Sequence, residues 1–350
     1  VAIIIGLSIV NMMKPGLVDG SPNPDLVKFM EDNAEEFKKK GTSVEQSAVG
    51  VDNDQNIFSV IGSLIERMIP SNVIHAASDN GSMLSLIFVS LITAFGLLAL
   101  EGSAKQQLVG LIKGLNELMI KITGFIMKLA PIGVFGLMGW TISQTGPAFL
   151  FSMGKYVLTV IIALGIHFVI VLPCLLFLIG KVNPLKHFFA MKEALLTSFS
   201  TASSSATLPV TLKCLQENAG VSKRISSFVL PLGATVNMDG TALYECIAVL
   251  FIAQVMGIPL EFSGQFTIVV LALLTSIGVA GVPSASLVAI VIILQNVVVQ
   301  DARLDGAFAA IGAIYAVDRI LDMFRTSVNV YSDSCGAVII ASSEGENLKV

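Results

Sequence analysis

An all-α membrane protein of several spans, with two helical hairpins that enter the bilayer and turn back, is what the amino-acid sequence predicts. Three observations predict it. Of the 350 residues, 54% are hydrophobic and 13% charged, with a mean hydropathy of +0.82, whereas soluble domains carry about 25% charged residues. The 33 residues from Thr267 to Val299 hold no charge, yet their centre is SIGVAGVPSAS. One helix of that length would reach about 50 Å, against a hydrocarbon core of about 30 Å. They therefore read as two half-length helices meeting at a non-helical tip. The last long helix, Gly306–Ile340, carries Asp318, Arg319, Asp322, Arg325 and Asp333, and ionisable groups at membrane depth default to function.

The same composition excludes an ordinary cytosolic enzyme, a nucleic-acid binder and a disordered chain. Net charge is −4, from 21 basic and 25 acidic residues, and Lys14–Asn56 holds the whole acidic excess. The four cysteines (Cys174, Cys214, Cys246, Cys335) sit in or beside apolar runs without CxxC spacing, so neither a disulfide framework nor a zinc site is expected.

Taken in order, residues 1–13 form an apolar run, too short for a span and without a signal-peptide flank. They read as the end of a transmembrane helix in an N-terminally truncated membrane protein. Residues 14–57 are polar and read as a solvated extracytoplasmic loop, its lysine triplet Lys38–Lys40 included. Residues 58–155 read as further helices, with a span at Met83–Leu100, an amphipathic helix at Lys105–Lys128, and an apolar stretch at Phe125–Ser143 containing Pro131. Tyr156–Gly180 is a span of 25 residues within segment 156–193. Its His167 reads as a packed or bonded core residue. Segment 194–257 opens with SFSTASSSATLP, too polar to face lipid, and continues into Phe228–Gly257, broken at NMDGT (Asn237–Thr241). Segment 258–341 holds the interrupted 33-residue run and the final helix, and 342–350 is a tail.

Loop charge arranges these pieces. Lys181, Lys186 and Lys192 lie before the serine-rich segment, and Lys213, Lys223 and Arg224 after it. Basic short loops mark the cytoplasmic side, so Ala194–Val210 enters and leaves on one face. Ile258–Phe266 has no basic residue and Gln300–Gly306 only Arg303, which puts the second hairpin's ends on the other face. A hairpin and a polar helix, twice and in opposite sense, is the pattern of an inverted repeat with a midplane binding site.

Asp318, Asp322, Arg325, Asn329 and Asp333 are spaced four, three, four and four, one face of a helix. The membrane-embedded stretches from Phe228 to Ile340 carry five acids (Asp239, Glu245, Asp318, Asp322, Asp333) against two arginines (Arg319, Arg325). Such a surplus in low dielectric calls for protons or metal cations. Na+ suits carboxylate and carbonyl oxygens. An arginine beside acids offers a bidentate carboxylate clamp, and an acid one turn away can hold an ammonium group. The residues alone suggest a cation-coupled transporter of an anionic amino acid. The serines Ser203–Ser205, with free tip amides, could hold a substrate carboxylate. A serine nucleophile is disfavoured, because no G-x-S-x-G and no suitably placed histidine accompanies them.

At these motifs the sequence resembles the glutamate/aspartate:cation symporters, the dicarboxylate/amino acid:cation symporter family. SSSATLP (Ser203–Pro209), LPLGATVNMDGTALYE (Leu230–Glu245), GVPSAS (Gly281–Ser286), DMFRTSVNVYSD (Asp322–Asp333) and LAPIGVFGLMGW (Leu129–Trp140) follow that family in order and spacing. The resemblance implies a homotrimer in the cell membrane, lipid-embedded and multi-pass, whose transport domain moves as an elevator with the second hairpin as gate. It implies that residues 1–13 belong to a third span, 58–155 to the scaffold's fourth and fifth, 156–193 to a sixth, and that the first two spans are missing. It implies substrate contacts from Arg325, Asp322, Thr326, Asn329, Thr241, Ser204, Ser205, Val282 and Ser286. It implies Na+ sites from Asp333 with Gly233, Asn237 and Asn329, from Thr235, Ser276 and Ile277, and from Asp239 with Asn237. Glu245 falls at a position linked to H+ coupling.

Arg325 favours aspartate or glutamate, and C4-dicarboxylates are the alternative substrate class. A channel or a non-transporting membrane scaffold is the alternative from another class. Two departures stand out. The further arginine usual in the family is absent from Ala202 and Met323, which leaves Arg319 as a candidate gating residue, and Ser286 stands where glycine is common.

Overall fold

The computed structural model describes residues 1–32, 69–78, 83–127, 132, 153–278, 286–298 and 304–350. The chain divides into two compact units, residues 54–135 and residues 1–53 with 136–350.

The smaller unit holds α3 (Val73–Ser78), α4 (Met83–Ala99) and α5 (Gly102–Met127). Gly102 adopts left-handed geometry, at φ +75, and so turns the chain between α4 and α5 where a side chain would be strained. Leu111, Leu115, Leu118 and Phe125 of α5 are exposed.

The larger unit begins with α1 (Ala2–Met13), a two-strand ribbon of β1 (Leu17–Val18) and β2 (Ser21–Pro22), and α2 (Pro24–Asp32). The strands pair antiparallel with Leu17 opposite Pro22. The polar segment after residue 13 therefore carries short ordered elements rather than loop alone. Leu26 of α2 is buried, and α2 packs against the long C-terminal helix.

The helix α6 (Gly154–Leu178) is long and apolar enough to cross a membrane, as is the broken helix Lys223–Val255. Within α6 the residues His167–Val171 form a π-helical turn. A π turn admits one extra residue and frequently marks a functional site.

The first hairpin is α7 (Pro184–Thr201) and α8 (Ser204–Lys213), the latter continuing π-helically through Cys214–Ala219. It starts well before the polar segment that the sequence singles out. Asn183 caps α7, accepting from the amides of Leu185 (3.0 Å) and Lys186 (3.2 Å), with Pro184 in the first turn where no amide hydrogen is needed. At the tip Ala202 is left-handed (φ 50) and Ser203 caps α8 by accepting from Ala206.

Helices α9 (Lys223–Val236) and α10 (Asp239–Val255) follow. The break in the NMDGT motif is confined to Asn237 and Met238, so Asp239 already lies in the first turn of α10. Helix α10 is buried along nearly its whole length and packs on α1, α6, α11, α12 and α13. The approach of the N-terminal segment is close enough that a Cβ on Gly6 would sit 3.0 Å from the Leu243 carbonyl.

The second pair, α11 (Phe262–Gly278) and α12 (Ser286–Val298), pack on each other. Their tip, including Val282, lies outside the described residues. Last comes α13 (Leu304–Ser343), 40 residues long. It packs against α7, α8, α9, α10 and α12, so this one helix meets both hairpins and the broken helix.

Candidate functional site in the larger unit

The α13 stripe is buried throughout: Asp318, Asp322, Arg325, Asn329 and Asp333 are all at most 4% exposed. Asp318 and Asp322 share Arg325, while Asn329 and Asp333 meet the broken helix. The Arg325 guanidinium donates to Asp322 one turn earlier and to Ser286 at the start of α12. Its Nη1 lies 3.8 Å from Asp318, and its Cζ sits 4.7 Å above the Tyr244 ring of α10. The Tyr244 hydroxyl in turn donates to Asp318 at 2.8 Å. Thr326 donates to Asp322 at 3.3 Å. One cation therefore serves two carboxylates, an aromatic face and a hydroxyl, all desolvated.

One turn on, Asn329 fastens the helix break. Its Oδ1 accepts from the Gly240 amide and its Nδ2 donates to Thr241, both at 2.9 Å. Only glycine fits at 240, since a Cβ there would lie 2.9 Å from both the Arg325 carbonyl and Asn329 Oδ1.

One further turn on, Asp333 accepts from Asn237 at 2.9 Å, and Asn237 also donates to Ser332 at 3.1 Å. Gly233 presses on the same carboxylate, where a Cβ would come within 2.5 Å of Oδ1. Among the described residues no basic side chain pairs with Asp333. A cavity of about 340 Å³ borders Gly233, Asn237, Ser332 and Asp333. A buried carboxylate at a helix break, bordering a cavity and without a basic partner among the described residues, is a fit for a bare cation.

Asp239 faces elsewhere. Its Oδ2 meets His167 Nε2 of α6 at 2.6 Å and its Oδ1 accepts from the Gly240 amide at 2.9 Å. Glu245, fully buried on α10, accepts from Thr275 of α11 at 2.9 Å. Thr235 and Ser276 are buried on α9 and α11, which pack together, and Ile277 follows Ser276 on α11.

The first hairpin reaches the stripe through Ser198, whose hydroxyl lies 3.3 Å from that of Ser327 on α13. That contact is one turn before the tip. Ser204 is buried and Ser205 half-buried in the first turn of α8. Arg319 is half-buried, with an Nε that has no hydrogen-bond partner.

The structure thus brings together Arg325, Asp322, Thr326 and Ser286, and separately Asn329 with Thr241 and Gly240, and Asp333 with Asn237 and Gly233. Sequence reasoning gave no role to Tyr244, and it counted Asp318 in the stripe without assigning it one.

The sequence matches the profile of the sodium:dicarboxylate symporter family over residues 1–343. The chain belongs to that family. It is 37% identical over 346 residues to human excitatory amino acid transporter 1, covering 97% of this chain and 60% of that protein. It is 42% identical over 276 residues to mouse excitatory amino acid transporter 3, covering 78% of this chain and 51% of that protein. Against rabbit excitatory amino acid transporter 3 the identity is 35% over 379 residues, covering the whole chain and 70% of that protein. The chain thus spans about 60% of the length of the human transporter it matches. The resemblance read from the motifs is the family the chain belongs to, and a family of transporters points away from enzymatic catalysis.

Proposed function

We propose that the protein is a secondary active transporter of the cell membrane, coupling the entry of a cation to that of L-aspartate or L-glutamate. The observation that carries this reading is Arg325, buried one turn from Asp322 and in contact with Ser286 of the second hairpin. A guanidinium so placed clamps a side-chain carboxylate, and a carboxylate one turn away takes the α-amino group. Thr326, Thr241, Asn329, Ser204, Ser205, Val282 and Ser286 complete the substrate site in this reading. The relatives' names point the same way, as excitatory amino acid transporters.

Na+ is the coupling ion this reading favours. Asp333, Asn237, Asn329 and Gly233 would hold one ion, Thr235, Ser276 and Ile277 another, and Asp239 with Asn237 a third. Glu245 is the candidate for H+ coupling, and Arg319 for gating. The hairpins α7–α8 and α11–α12 would be re-entrant, residues 58–155 would form the scaffold, and a homotrimer would carry transport domains that move as elevators. Arg325 is engaged by Ser286 and Asp322, so in this reading substrate binding exchanges those contacts for contacts to the substrate.

The test is uptake of labelled L-aspartate and L-glutamate into proteoliposomes by the full-length protein, with and without a sodium gradient, beside Arg325→Cys. Sodium-driven uptake that is lost in the variant is the expected result. Uptake driven only by a proton gradient would move the coupling to Glu245. The family is named for dicarboxylates, and succinate uptake without aspartate uptake would assign that class instead. Absence of uptake of all three under every gradient would overturn the carrier reading.

A further inference from the structure

We propose that His167 is a positioning residue for the Asp239 carboxylate and, through it, sets the affinity of the coupling-ion site at the break between α9 and α10. The inference rests on the proposed cation role of Asp239. A carboxylate only accepts, so at 2.6 Å the Nε2 of His167 must be the donor. The other carboxylate oxygen is held at 2.9 Å by the Gly240 amide. Fixed at both oxygens, Asp239 cannot rotate, and each oxygen keeps a lone pair for a cation.

The placement of the donor is a property of the local fold. His167 opens the π turn of α6, and the following residue, Phe168, packs its ring 4.7 Å from that of Tyr331 on α13. The imidazole is 3% exposed, and its Nδ1 has no hydrogen-bond partner. An apolar side chain would fill the same space without stranding a ring nitrogen. A histidine kept at that cost is explained by what its Nε2 does to Asp239. The relation matches the general behaviour of groups that orient a cation's ligands without touching the cation, whose loss weakens metal affinity about 10- to 100-fold.

The test uses the purified full-length protein in detergent and titrates Na+ alone, without substrate, following the sodium-dependent shift in thermal unfolding. His167→Ala and His167→Asn, whose amide is too short to reach Asp239, are expected to raise the sodium concentration at half-effect about tenfold or more. His167→Gln, which places an amide donor near the Nε2 position, is expected to restore it to within about twofold of wild type. Aspartate affinity at saturating Na+ is expected to stay within about twofold in all three variants. A purely structural role would lower the unfolding temperature in every variant without this sodium-specific pattern, and that result would overturn the proposal. So would wild-type sodium affinity in His167→Ala and His167→Asn, or a His167→Gln protein as weak as His167→Ala. Asp239→Asn separates the levels. If it binds Na+ as wild type does, the cation role of Asp239 itself is wrong. If it loses Na+ while His167→Ala does not, only the positioning role fails.

Discussion

Replacing Arg325 by methionine keeps the side chain's bulk and removes a cation that Asp322 and Asp318 both address. Asp322 bonds it directly, Asp318 stands 3.8 Å away, and the Tyr244 ring lies 4.7 Å beneath it. All four groups are desolvated. Breaking a buried ion pair by removing one partner costs about 3–5 kcal/mol, since the remaining charge stays buried. At about 2 °C per kcal/mol for a large domain, the substrate-free, sodium-free protein should unfold about 6–10 °C lower. Asp318→Asn added to Arg325→Met should recover part of the loss, with a coupling of at least about 1 kcal/mol in the double-mutant cycle. Thermal unfolding in detergent measures both. If Arg325→Met unfolds within a degree of wild type, or Asp318→Asn makes it worse by its own full effect, the shared-cation account of this site is wrong. The same variant should weaken aspartate binding about 100-fold or more, because each charge-assisted hydrogen bond contributes about 1.5–3 kcal/mol and about 1.4 kcal/mol is tenfold.

Three other outcomes follow from close contacts. Gly233→Ala puts a methyl 2.5 Å from Asp333 Oδ1 and should weaken sodium binding at least about tenfold, read by the same sodium titration of thermal unfolding. Gly16→Ala places a methyl 2.6 Å from Gln254 Cβ and 2.9 Å from the Phe251 carbonyl. Because backbone is among the obstacles, about 1–3 kcal/mol of destabilisation is expected, with no change in sodium affinity. At the C-terminus, Glu346 accepts from the Ser222 amide at 2.8 Å, and hydrogen bonding to the Ser222 side chain, then to this amide, lowers its carboxyl below the ordinary value of 4.5. A lowered folded value stabilises docking above 4.5 and is lost as pH falls through it. Hydrogen exchange at Ser222, corrected for intrinsic rate, should therefore show full protection at pH 6 and a loss of it in stronger acid.

The broad architecture was readable because membrane physics leaves few options. An uncharged run too long for one span had to fold back, and α11 and α12 do pack together. The spacing of Asp318, Asp322, Arg325, Asn329 and Asp333 put them on one face, and all five are buried there. Short-range pattern failed where the partner is distant in sequence. His167 read as a packed or bonded core residue and is both buried and bonded, but nothing local marks its partner 72 positions away or the π turn that holds it. Gly6 and Gly16 gave no signal, since their reason lies in α10, more than 230 residues on. The helix Pro24–Asp32 was missed because its polar composition hides the buried anchor Leu26.

The order of residues along α13 bears on how a cation and an amino acid could bind cooperatively. Asn329 lies one turn from Arg325 and one turn from Asp333, and it holds the Gly240 amide and the Thr241 hydroxyl. The break between α9 and α10 is therefore pinned to α13 midway between the substrate candidates and the Asp333 carboxylate. Any ligand that steadies this junction lowers the ordering cost of the other, which is a coupling free energy and must be reciprocal. Gly240→Ala tests the junction without removing a proposed ligand. Its methyl would meet the Arg325 carbonyl and Asn329 Oδ1 at 2.9 Å, and backbone cannot yield cheaply, so α10 must back away from α13. Sodium and aspartate affinities should then fall together. The factor by which Na+ tightens aspartate binding, about 5- to 150-fold for typical couplings, should shrink equally when measured in either direction. A Gly240→Ala protein that loses aspartate affinity alone, with sodium binding and coupling intact, would show that the two halves of the stripe do not communicate through this junction.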